Sequence, residues 1–287
     1  MEDSSLTLLP MSQTIELTPG ETYEGYVTVA NPDDSKTDVS FQASVEPFSV
    51  SGQDYQADFA TQSNRSMITK WVTIPESTGT VKPNESKKVK FVINVPKDAP
   101  AGGQYAAIAV SYDSPDQTTN SDGVTSNIQN IFQLTSIIYA RVAGETEHSG
   151  HILENKLPGF STSTPVSATA LIENTGNVHE SANYFITISD FFTGQVILPK
   201  DDAPGRYSEV IMPDSTYRSV RELNGLPAVG AVRVKQAIEF NGEYSETESV
   251  VVICPIWFII LVVLTLASLA AVITVLVRRS RRKKHAI

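Results

Sequence analysis

The chain has a single cysteine, Cys254, among 287 residues. One thiol excludes an intrachain disulfide framework and a cysteine-rich metal site. Four histidines leave little material for a zinc enzyme. The sequence has no glycine-rich phosphate loop, no G-x-S-x-G and no H-E-x-x-H, so no catalytic constellation is legible and a non-enzymatic protein without cofactor or metal is expected. Sixteen glycines and sixteen prolines are too few for a collagen-like or low-complexity polymer. The opening residues, Met1 to Ser5, have neither a basic n-region nor an apolar h-region. With a large domain ahead of one apolar span, they read as the start of a processed or trimmed form.

What is present begins at the other end. From Ile256 to Val277 the chain runs 22 residues without a charge, with Trp257 near the start. As a helix such a run is about 33 Å long, enough for the hydrocarbon core of a bilayer. Arg278, Arg279, Arg281, Arg282, Lys283 and Lys284 follow directly. Six cations abutting a span mark its cytoplasmic end, and an aromatic ring suits its outer end. The expectation is a single-pass plasma-membrane protein with its N-terminal domains outside, its tail in the cytoplasm, and the lipid bilayer as a partner of the helix. No L-P-x-T-G-like sorting motif precedes the span, so the helix is read as a permanent anchor. The whole chain has 22 basic and 32 acidic residues; without the six tail cations the rest is 16 against 32, a net −16. That balance excludes nucleic acid as a partner.

Ahead of the span the hydrophobic period is two. Val39, Phe41, Ala43 and Val45 share one face, as do Val89, Phe91, Ile93 and Val95. Phe132, Leu134, Ile138, Ala140 and Val142 line a long strand, and Val166 to Ile172, Tyr184 to Ile188 and Val232 to Phe240 repeat the pattern. Tyr105 to Val110 is apolar at every position, which predicts a strand covered on both faces. Many short strands with turn signals between them predict an all-β chain: two Ig-like antiparallel β-sandwich domains followed by one C-terminal transmembrane α-helix. Val29-Ala30-Asn31-Pro32 is echoed by Ile172-Glu173-Asn174-Thr175, each with an aromatic residue ten positions after the asparagine. The polar break at Gly144 to Glu147 sets the boundaries: a first domain over 1–144, a second over 145–252, the span over 253–277 and the basic tail over 278–287. Inside the first domain, 114–127 has one apolar residue and reads as a polar loop. Ser114, Asp116, Asn120, Asp122 and Asn127 are its candidate binding residues. His148 and His151, and the pairs Asp33-Asp34 and Asp201-Asp202, lack the further ligands a metal needs and read as solvated side chains.

The stretches IELTPGETYEGYVTVANPDD, VKPNESKKVKFVINVPKDAPAGGQYAAIAVSY and VIMPDSTYRSV, with the run into VVVICPIWF, resemble the WxL-interacting-protein family of Gram-positive surface proteins. The resemblance implies two Ig-like domains, one anchor, a short basic tail, and a first domain associated with peptidoglycan. It carries no residue-level binding motif across. The expected function is therefore a non-enzymatic, membrane-anchored bacterial surface protein that binds cell-wall polymer or partner surface proteins. The alternative is a structural or accessory subunit of an envelope or export assembly that makes protein contacts through sandwich edges.

Overall fold

The computed structural model describes residues 6–32, 37–114, 117–119, 125–127, 130–199 and 206–284. The chain is mostly β, with a single C-terminal apolar helix. It divides into two compact units: Met1–Gly150 with Asn174–Glu180 and Ile211–Tyr217, and the remainder from His151 onward. The first unit is therefore discontinuous in sequence, which no local pattern announces.

Two sheets enclose the core of the first unit. One orders Thr7–Leu9, Thr22–Ala30, Ser86–Asn94 and Val72–Thr73. The other orders Ser12–Leu17, Asn130–Val142, Gly102–Ser114, Val39–Pro47 and Thr78–Val81. Val27 and Val29, Phe91 and Ile93, Phe41, Ile108, Ile138 and Val142 meet in one buried cluster drawn from both sheets. Alternation explains this directly: in a strand every second side chain faces the same way, so each of these runs buries one face. The all-apolar run Tyr105 to Val110 is buried at every position, covered on both faces as predicted. It lies in the strand Gly102–Ser114, which pairs with Asn130–Val142 over 13 consecutive positions and with Val39–Pro47 on its other side. Ser12–Leu17 then runs parallel to Asn130–Val142, pairing only with Ile137 to Val142.

The expected polar loop is partly β. Ser114 ends its strand, and Gln117–Thr119 pairs antiparallel with Thr125–Asn127. These segments are rich in Thr, a β-branched residue that fits a pleated ladder. Absence of apolar residues shows that a segment has no core to join, not that its backbone is unpaired. Asp116, Asn120 and Asp122 lie outside the described residues, as do Asp33-Asp34 and Asp201-Asp202.

In the second unit the strands Gly150–Lys156, Val166–Asn174 and Ser215–Leu223 form one sheet. Phe160–Ser161, Glu243–Ile253, Gly230–Phe240, Glu180–Asp190 and Val196–Leu198 form the other, with Arg206–Ile211 also paired to Glu180–Asp190. Val166, Ala168, Ile188, Val232, Val234, Val251 and Ile253 make its core. The chain leaves this sheet at Ile253 and becomes helical over Ile256–Lys284. Within the helix, Ile256–Leu276 spans 21 residues at a mean hydropathy of 2.9, none of it buried.

The sequence echo has a physical counterpart. Asn31 and Asn174 are both buried polar residues at strand ends. The Asn31 amide donates to the carbonyls of Thr37 and Val81, each at 3.0 Å. The Asn174 amide donates to the carbonyls of Val178 and Ile211, each at 2.9 Å. In both cases one bond closes the asparagine's own turn and the other reaches a distant segment. Buried carbonyls need such donors, and an amide offers two.

Candidate functional site

Two places in the first unit bring chemistry-bearing residues together, and they differ in what they can do. The first is a polar cluster formed where 174–180 and 211–217 join the unit. Arg65 donates Nε and Nη2 to Asp214 Oδ2, at 3.0 and 2.5 Å, and Nη1 to the Asn177 carbonyl at 2.9 Å. The Tyr55 hydroxyl bonds Ser215 and accepts the Met212 N–H. His179 is buried beside the rings of Tyr105 and Tyr139, at centroid distances of 5.6 and 5.3 Å. Its Nδ1 lies 3.3 Å from the Tyr105 hydroxyl, and Arg141 donates to its carbonyl.

Burial, with Arg141 adding to it, pulls the His179 imidazole down to about 4. Burial likewise pushes the Tyr105 phenol far above its ordinary range. Burial thus favours the neutral form of both groups near neutral pH. The cluster is a packed joint. His148 Nδ1 is 2.6 Å from Glu180, and His151 Nδ1 is 2.7 Å from Glu243. Among the described residues no group of three or more His, Cys, Asp or Glu side chains comes together.

The second place is a sheet edge. Ser12–Leu17 covers only the last six positions of Asn130–Val142. Among the described residues no strand pairs with the outer side of Asn130 to Ser136. The direction of its backbone groups follows from one bond: the Ile137 N–H points outward, donating to Met11 O at 3.0 Å. Backbone groups alternate along a strand, and the register with Gly102–Ser114 is unbroken, so Ile131, Gln133 and Thr135 also aim N–H and C=O outward. Ile131 and Phe132 are exposed here, Phe132 stacking on Tyr112 at 5.6 Å. A hollow of about 480 Å³ lies across the strands inward of the edge, walled by Ser40, Gln42, Thr80, Ser111 and Asp113, and it reaches the edge strand only at Ile131. Its hydroxyls and amides offer hydrogen bonds without a fixed positive charge. An edge of this kind can take an added strand. Sequence reasoning singled out the polar stretch that precedes the strand and missed the edge itself. Two exposed apolar residues on a strand otherwise buried on alternate positions were the available signal.

The C-terminal residues read as an anchor are in one helix. Ile256 and Trp257 are exposed, and so is Arg278. The side chains of Val277, Arg279, Arg281, Arg282, Lys283 and Lys284 lie outside the described residues. The same holds for the side chains of Ser114 and Asn127.

No family model matches the chain, and no curated protein matches it. Among solved structures it is similar to the class 5 fimbriae chaperone CfaA, at 14% identity over 88% of this chain and 100% of that one, TM-score 0.41. It is similar to the YadV chaperone at 11% identity over 85% of this chain and 98% of that one, TM-score 0.40. It is similar to the E. coli chaperone DraB at 15% identity over 85% of this chain and 96% of that one, TM-score 0.39. Likenesses this distant assign no binding partner to this chain. The expectation of a Gram-positive surface protein that binds peptidoglycan or another wall polymer is corrected: the structures it is similar to are fimbrial chaperones. The turn-and-strand stretches behind that expectation are features of sandwich sheets, which serve many functions.

Proposed function

We propose that this chain is a non-enzymatic, membrane-anchored accessory subunit of an envelope assembly, built of two Ig-like sandwiches that contact partner proteins through strand edges. The observation that carries the reading is the unpaired edge of Asn130 to Ser136, with outward backbone groups at Ile131, Gln133 and Thr135. Main-chain pairing would supply the affinity, and the exposed Ile131 would give the added strand an apolar contact. The uncharged, unburied run Ile256–Leu276 supports anchoring, with the basic tail on the cytoplasmic side.

Proline at Gln133 or Thr135 tests the edge, because each removes an outward N–H and leaves the ladder to Gly102–Ser114 intact. A photo-cross-linking residue at Ile131 should capture a protein in intact cells, with the adduct mapping to an extended segment of it. Thr135→Pro should reduce that capture at least tenfold while the unfolding midpoint of the chain stays within error. Capture unchanged by the proline places the contact elsewhere and overturns the reading.

A further inference from the structure

Among the described residues, one end of the second unit is without charge. The turns at that end are 157–165, 191–199, 224–231 and 249–255, and none contains Asp, Glu, Lys or Arg. At the chain's average of 19% charged residues, a surface of that size would carry about six. Strand register places them together. Ile253 and Val252 pair with Gly230 and Ala231, and Val252 also pairs with Phe160. Asp190 pairs with Val232, so the turn after it lies at the same end, and the Phe191 N–H donates to Ala231 O at 3.2 Å.

The apolar side chains at this end are not covered. Phe192 is 80% exposed, Phe160 55%, Val196 54%, Val252 42% and Phe191 40%. The turn that presents the two phenylalanines is fixed: Asp190 Oδ1 accepts the N–H groups of Phe192 at 3.0 Å and Thr193 at 2.7 Å. The carboxylate that leads into the turn is thereby bonded back into it. Neighbouring strands are about 4.8 Å apart, so Phe160, Val252 and the Phe191 turn fall within roughly 15 Å of each other. The helix starts at Ile256, three residues past Ile253, within about 10 Å of chain.

A charge-free apolar surface directly continuous with an apolar helix has one fitting occupant. We propose that this end of the second unit seats in the headgroup region of the bilayer, with Phe160, Phe191 and Phe192 inserted as wedges beside the helix. This rests on the membrane reading of the helix and adds that the unit is held against the surface rather than tethered above it. Apolar side chains enter the headgroup and acyl boundary readily, whereas a charged surface would stay in water.

The test uses the full chain with Cys254→Ser, reconstituted in phosphatidylcholine vesicles. A nitroxide is attached through Phe192→Cys, or through Tyr244→Cys at the opposite end of the same sheet as a control. The label at 192 should be reached by oxygen and shielded from a water-soluble nickel complex at least fivefold relative to the label at 244. Equal access of the nickel complex to both labels overturns the seating. Shielding of the 192 label from both agents also overturns it, since that shows a protein cover. Release of the chain from vesicles by alkaline carbonate is a separate result, and it overturns the membrane reading itself.

Discussion

His179 shows how a single buried ring ties stability to acidity. The folded ring titrates at about 4, against an ordinary 6.5. Below pH 6.5 the unfolded chain takes up a proton that the folded chain refuses. Stability therefore falls as pH drops from about 6.5, and this contribution is lost in full once pH passes about 4. A shift of that size corresponds to roughly 3 kcal/mol. Denaturation followed through Trp71, which is buried in the first core, should show a lower midpoint at pH 4.5 than at pH 7. His179→Gln should flatten that difference; an unchanged difference would assign it to other groups. The hydrogen-bonded carboxylates of Asp58 and Asp190, both held low by backbone and side-chain donors from Thr61 and Thr193, titrate below this window.

Elements were legible where one face alone decides burial. The strands through Val89 and Phe91, and through Ile138 and Ala140, are marked by alternation because solvent and core impose a period of two. Gly25 was not legible, because its reason lies across the sheet. It pairs with Phe91, and a Cβ built on it would sit 2.2 Å from the Phe91 ring. The far end of the ring occupies the space above the glycine where a side chain would otherwise stand. Gly25→Ala should drive Phe91 off its position and destabilise the first unit by about 1–3 kcal/mol, read as a shift in urea midpoint. The double change with Phe91→Leu should lose less than the sum of the two single changes, because the clash is shared. The unpaired edge at Asn130 to Ser136 escaped notice for a related reason: which strand covers which is a long-range fact, and Ser12–Leu17 stops short by an amount no local pattern encodes.

At the scale of the molecule, the sequence carries the class of fold and the uncharged helix, since both rest on composition and period. It does not carry the membership of 174–180 and 211–217 in the first unit. Those segments look like ordinary turns, and what assigns them is bonding to residues far upstream: Asp214 to Arg65, Asn177 to Gly103 and Glu147, Thr175 to Ser149. A fragment ending at Gly150 lacks them and leaves Tyr105, Arg65 and Tyr55 without their partners. It should bind a dye specific for exposed apolar surface and unfold at markedly lower urea than a fragment ending at Ile253. Equal midpoints for the two fragments would show that the distant segments add nothing to the first core.

This discontinuity also has a consequence in time. A chain made or exported from its N-terminus presents almost the whole first sandwich by Gly150, yet Tyr217 must emerge before the last segment of that unit exists. For nearly seventy residues of elongation the unit remains unlatched, its Tyr105 strand paired but its far loops absent. Its last segment, Ile211–Tyr217, follows residues that mostly belong to the second unit, so the first part to appear is finished only when much of the second has already been made.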